Sequence, residues 1–206
     1  DVPLSPHNSY IVPASVLAPQ DYFITQWDLS KIGSAVSEET ISLTFGVAGV
    51  GAVNYSWTTT DNSSSGSGVI ANGNTTANIT GLPAGKTIVL SIEPANLRRF
   101  YINYGTDKQR LTDVKQWGVV AWSSMLNAFY GSSNLNISAT DVPNLGNVTS
   151  MYSMFAFCSS LNGPSNINNW DTSEVTSMGY MFYLASVLNQ NIGSWNTANV
   201  TNMSFM

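Results

Sequence analysis

Between residues 21 and 103 apolar positions alternate with polar ones in short runs punctuated by Gly, Ser and Asn, whereas from residue 117 they recur on a far longer period. Side chains of a strand point alternately to its two faces, so the first pattern predicts β-strands at residues 23–29, 40–45, 53–58, 75–80, 87–92 and 100–103. Six short strands in so brief a stretch predict a small antiparallel sandwich. Leu82-Pro83-Ala84-Gly85 reads as a turn, and residues 62–68, rich in Ser and Gly, read as a flexible loop.

The second pattern is a period. Met125, Met151, Met178 and Met203 are separated by 26, 27 and 25 residues, Leu135, Leu161 and Leu188 by 26 and 27, and Trp170 and Trp195 by 25. A unit of this size cannot bury its apolar faces alone, so the units are expected to stack into a solenoid with a continuous core. Within one unit Met178, Met181, Phe182 and Ala185 stand at i, i+3, i+4 and i+7, which predicts a short helix. Asp171-Thr172-Ser173 and Thr176-Ser177 offer capping side chains for it, and residues 188–195 read as a brief extended segment and turn. The Met and aromatic residues are read as core filling rather than as a metal or cofactor site.

The succession Trp170, Val175, Thr176, Met178, Met181, Phe182, Ala185, Leu188, Ile192 and Trp195 resembles the repeat of the BspA-like surface proteins. Degenerate leucine-rich-type repeats of that kind also occur in mycoplasma lipoproteins and secreted Bacteroidetes proteins. A further unit begins at Asn196 and runs through Val200, Thr201 and Met203. Phe23-Ile24-Thr25-Gln26-Trp27 resembles the start of a module that precedes such repeats and is similar to a polycystic-kidney-disease (PKD) domain, although Trp57-Thr58-Thr59-Thr60 stands where that module has its usual Trp-Gly-Asp-Gly turn. The resemblance implies an extracellular or cell-surface adhesion protein without an enzymatic mechanism. It also implies a mainly β fold with short helices: a PKD/Ig-like β-sandwich at 21–104 and a leucine-rich-type αβ solenoid at 105–206. Pro3, Pro6, Pro13 and Pro19 themselves predict an extended arm at 1–20, and the last unit, whose helix has barely started at Met203, predicts truncation at the C-terminus.

Charge narrows the partners. The chain carries 12 acidic and 7 basic residues, a formal net charge of −5, and only 9% charged residues. Such a surface offers no electrostatic footprint for nucleic acid, and no apolar run is long enough to span a membrane. Arg98, Arg99, Lys108 and Arg110 cluster in one short window, read as a solvated or locally paired surface near the junction. The N-terminus lacks the basic start and apolar core of a signal peptide.

Catalytic chemistry is thin. Zinc needs several His or Cys ligands, and the chain has one of each, His7 and Cys158. Asp141, Asp171 and Glu174 are the carboxylates available for glycoside hydrolysis, but Asp171 and Glu174 suit helix entry equally well. No cofactor is expected; calcium stays open on the oxygen ligands of Asp61, Asp107 and Asp113, without an EF-hand spacing. Cys158 reads as a small core residue. Eight Asn-x-Ser/Thr sequons begin at Asn54, Asn62, Asn74, Asn78, Asn136, Asn147, Asn199 and Asn202, and the shared phase of Asn147 and Asn199 points to a role in a turn.

Two partner classes follow. Tyr152, Tyr180 and Tyr183 are the residues expected to bind an extracellular protein or glycan through rigid amphipathic rings. Tyr10, Ile11 and Val12 in the arm, with Met203 and Met206 at the other end, are the residues expected to contact other copies of the chain in a filament or surface layer. A carbohydrate-binding module of a larger secreted protein is a further alternative.

Overall fold

A computed structural model describes residues 19–34, 40–72 and 75–206. Tyr10, Ile11, Val12 and most of the expected arm lie outside the described residues. The fold is mainly β. A six-stranded sheet runs in the order β4 (Ser65–Ile70), β3 (Val53–Thr59), β6 (Thr87–Ile92), β1 (Phe23–Asp28), β8 (Leu111–Gln116), β9 (Asn136–Ile137). A three-stranded sheet in the order β5 (Thr75–Pro83), β2 (Thr40–Gly49), β7 (Leu97–Tyr101) packs with it in a sandwich-like arrangement.

Alternation decides what faces inward. Phe23, Thr25 and Trp27 of β1 are fully buried, as are Ile88, Leu90 and Ile92 of β6, while the residues between them are half-exposed. Rings from both sheets meet between them: Phe45 of β2 and Phe100 of β7 lie 5.1 Å apart, and Phe23 lies 5.2 Å from Phe100. Each such pair adds about 0.5–1.5 kcal/mol to its area burial.

The expected loop at 62–68 is in large part strand β4. Gly66 and Gly68 pair in register with Trp57 and Tyr55 of β3. A Cβ would stand 2.8 Å from the Trp57 indole at Gly66 and 2.5 Å from the Tyr55 hydroxyl at Gly68, so bare backbone is what lets these two rings lie across the edge strand.

The sheet does not stop at residue 104. β8 pairs antiparallel with β1 and parallel with β9, and Phe100 contacts Phe129 at 5.9 Å, so one apolar core runs from Phe23 to Trp195. Arg110 is not a surface residue. It is buried and paired with Asp107 at 2.7 Å, and it donates to the carbonyls of Lys31, Ser34 and Ser42. The Asp107 carboxylate also accepts from the backbone N–H groups of Ser34 and Thr44.

The expected helices and the extended segment at 188–195 are absent. Among the described residues the helical elements are two 3-10 turns, Pro19–Asp21 and Ile167–Asn169. The Met-containing stretches are chains of turns: Met154, Cys158 and Leu161 donate to the carbonyls of Met151, Phe155 and Cys158 at 3.0 to 3.1 Å. Alternate N–H groups leave the segment. Those of Met125, Asn127, Phe129 and Gly131 donate to the carbonyls of Ser150, Tyr152, Met154 and Ala156 at 2.8 to 3.0 Å. Those of Met151, Ser153, Phe155 and Phe157 donate to Ser177, Gly179, Met181 and Tyr183 at 2.8 to 2.9 Å.

Left-handed residues at Asn127, Ser153, Tyr180 and Phe205, and again at Gly131, Phe157 and Leu184, break any continuous helix. Turns bonded i to i+3 nevertheless put the helical stripe inward: Met178 and Met181 are fully buried and Ala185 is buried. Phe129, Phe155 and Phe182 stack face to face, at 5.4 and 5.9 Å with planes within 7°. Of the side chains assigned to capping, Thr172 and Thr176 bridge layers instead, their hydroxyls donating to the Asn196 and Thr149 carbonyls at 3.0 and 3.1 Å. The Asn199 amide donates to the Ser173 carbonyl of the neighbouring layer at 2.7 Å, a bridge between layers rather than the role in a turn expected of that sequon residue.

Candidate aromatic binding surface

The positions just beyond the buried Phe stack point outward and carry rings. Tyr104, Tyr130, Phe157 and Tyr183 form one column, with successive centroids 5.0, 5.8 and 5.6 Å apart. Tyr152, Tyr180 and Phe205 form a second, at 5.5 and 4.8 Å, and Tyr180 joins the two by an edge contact with Tyr183 at 5.5 Å. Tyr104, Tyr183 and Phe205 are 50%, 37% and 66% exposed, and the other four are half-buried.

All three tyrosines singled out in the sequence converge here. Tyr152, Tyr180 and Tyr183, with Tyr130 and Phe157, line one open cleft of about 360 Å³ whose polar wall is Asn127 and Ser153. A neighbouring cleft of about 350 Å³ shares Phe157 and is lined by Tyr104, Lys108, Gln109, Ser133 and Ser159. The Lys108 ammonium sits 4.5 Å from the Tyr104 ring centroid. Gly131, at φ +87°, makes this possible, because a Cβ there would stand 2.5 Å from the Tyr104 ring and 2.9 Å from the Lys108 side chain.

Four of the seven rings sit on left-handed backbone, as do Ser153 and Leu184 at the equivalent positions of other layers. Tyr104, Phe157, Tyr180 and Phe205 all adopt positive φ, between 54° and 62°. An L-residue other than Gly, Asn or Asp in that region costs about 1–2 kcal/mol. The equivalent positions in an earlier layer are occupied by the residues the geometry prefers, Asn127 and Gly131. Strain of this kind collects where a side chain is needed for something other than folding.

Sequence reasoning missed Tyr104, Tyr130, Phe157 and Phe205, and read Lys108 as part of a solvated or locally paired basic surface. The first three with Tyr183 are separated by 26, 27 and 26 residues, so the period itself carried the column. It begins at Tyr104, ahead of the first Met, where a start at residue 105 hides it. Met203 and Met206 are 44% and 38% exposed, unlike the buried Met178 and Met181.

The remaining candidates hold backbone, Asp61 and Asp171 within a turn and Asp113 and Asp141 between distant segments. Asp141 accepts from the backbone N–H groups of Trp117 and Gly118, and the Ser173 side chain and backbone N–H together hold the Asp171 carboxyl below its usual range. Asp113 accepts from Ser138, and Asp61 from Ser63 and Lys86. Among the described residues no three His, Cys, Asp or Glu gather into a metal-binding group, and no helix is long and apolar enough to cross a membrane. Arg98 donates to the carbonyls of Ala95 and Leu97, and Arg99 donates to that of Leu126 and lies 4.3 Å over the Tyr101 ring. Cys158 is fully buried, its thiol donates to the Phe129 carbonyl at 3.1 Å, and burial pushes its pKa far up.

No curated protein and no solved structure matches the chain. Residues 97–206, which hold the turn layers and every ring of both columns, match the model of the family described as Mycoplasma protein of unknown function, DUF285. That match spans just over half of the sequence, and the chain therefore belongs to the DUF285 family.

Proposed function

We propose that this chain is a non-enzymatic adhesion module, displayed outside the cell or on its surface, that binds extracellular protein or glycan through the aromatic columns. One observation carries the reading: seven partly exposed rings stack in two joined columns beside a common cleft, four of them, Tyr104, Phe157, Tyr180 and Phe205, on left-handed backbone. A core needs no exposed ring, and an ordinary surface has no use for an aromatic residue in a conformation that Asn or Gly adopts freely. Rigid amphipathic rings supply contact area at little cost in side-chain entropy. In this reading residues 105–206 are a BspA-like, leucine-rich-type solenoid without helices, and residues 21–104 are a PKD/Ig-like module that covers its end.

The test is binding to immobilised extracellular-matrix proteins and to a glycan array, comparing the wild type with the double variant Tyr180→Asn, Tyr183→Ala. Specific binding that the double variant loses while staying folded supports the reading; binding that survives both changes overturns it. Light scattering on the same sample reads out the other partner class, further copies of the chain, as a mass above 22.2 kDa.

A further inference from the structure

We propose that the ligand of the aromatic face is an anionic polysaccharide, stacked along the two columns and anchored by Lys108; this rests on the adhesion reading. The first support is geometric. The rings of the outer column follow one another at 5.0, 5.8 and 5.6 Å with planes 42°, 50° and 72° apart, a continuous aromatic strip across four layers that offers an extended chain contact at each step. The two clefts share Phe157 as a common wall and each spans several layers, so the outer column is flanked by a groove on either side along its length.

The second support is the polar lining. Asn127 and Ser153 in one cleft, and Gln109, Ser133 and Ser159 in the other, combine donors and acceptors beside apolar faces, the mixture a sugar ring presents in return. A protein partner would favour a drier patch in which polar groups form the rim.

The third support is charge. In a chain of net charge −5, neither cleft is lined by a carboxylate, and one is lined by Lys108. Its ammonium makes one long hydrogen bond, 3.4 Å to the Gly105 carbonyl, among the described residues. An ammonium has three N–H donors, so donor capacity remains for a carboxylate or sulfate.

The experiment is affinity electrophoresis and calorimetry of the full chain against alginate, dextran sulfate and neutral dextran. It uses the wild type, Lys108→Met, and the double variant Tyr180→Asn, Tyr183→Ala, with folding checked by circular dichroism. The expected result is binding to alginate or dextran sulfate but not dextran, weakened about tenfold in Lys108→Met, as for loss of one charged hydrogen bond, and abolished in the double variant. Alginate alone assigns the site to uronic acids, and dextran sulfate alone to sulfated sugars. Binding to dextran that Lys108→Met leaves unchanged overturns the anionic assignment. If no polysaccharide binds while a matrix protein binds through Tyr180 and Tyr183, the inference falls and the adhesion reading stands. If nothing binds through those tyrosines, both fall.

Discussion

Arg110 reaches Asp107 at 2.7 Å in a place closed to water, with side chains 4% and 0% exposed. Each partner is also satisfied from elsewhere, the guanidinium by carbonyls of Lys31, Ser34 and Ser42, the carboxylate by Ser34 and Thr44. The pair ties the loop after β1, the strand β2 and the entry to β8 together. Removing one partner leaves the other charge buried and alone, so Arg110→Met is expected to cost about 3–5 kcal/mol of stability. Urea titration of the variant checks this, and a loss below about 1 kcal/mol, the range of exposed pairs, would mean that water reaches the site.

Tyr180→Asn removes ring contacts with Tyr152, Tyr183 and Phe205 but relieves a φ of 56°. The two effects, about 0.5–1.5 kcal/mol per ring pair lost and about 1–2 kcal/mol of strain removed, oppose each other. Thermal unfolding is therefore expected to shift by only a few degrees. A collapse of stability would mean that the ring is there for packing.

Phe155 and Phe182 stack with planes 3° apart, yet only Phe155 is fully buried. Phe155→Ala should cost about 3–5 kcal/mol, and Phe182→Ala roughly half of that because its transfer contribution is smaller. Equal losses in denaturant titrations would show that the stack, not burial, sets the energy.

Cys158 is pushed above its ordinary range by burial. The sign follows from linkage: a raised folded pKa means the stabilising contribution is complete below the unfolded pKa and is lost as pH rises above it. Between about pH 9 and the folded value, stability should fall by about 1.4 kcal/mol per pH unit through this group. Cys158→Ala should lack that component in paired urea titrations at pH 8 to 10. At neutral pH the native thiol should resist alkylation that proceeds readily in denaturant, and equal rates in both states would refute its burial.

Much of the sandwich was legible because alternation reports burial directly: residues 87–92 match β6, and residues 53–58 match β3 to within one residue. β4 was illegible for a physical reason. Its inward positions, Gly66 and Gly68, have no side chains, and the rings that lie over them, Trp57 and Tyr55, belong to the next strand. The helical stripe was right about Met178 and Met181 being inward and wrong about the helix, since turns bonded i to i+3 and a helix bury nearly the same set. Only the backbone separates them, and residues such as Phe157 and Tyr180 in left-handed conformations are what propensity argues against. The three chosen tyrosines do share a cleft, and the longer column through Tyr104 was legible in the same period but lay hidden by a repeat region begun at residue 105.

From Met125 to Leu135, Met151 to Leu161 and Met178 to Leu188 the separation is always 10 residues, whereas the stretch from each Leu to the following Met varies through 16, 17 and 15. The constant part is the part whose alternate N–H groups are committed to the neighbouring layer. The molecule thus has one edge of fixed gauge and one elastic edge. Insertions and deletions can accumulate on the elastic edge without shifting a ring, while a single residue gained between Met151 and Leu161 would break the alternation of N–H groups that ties that layer to the next.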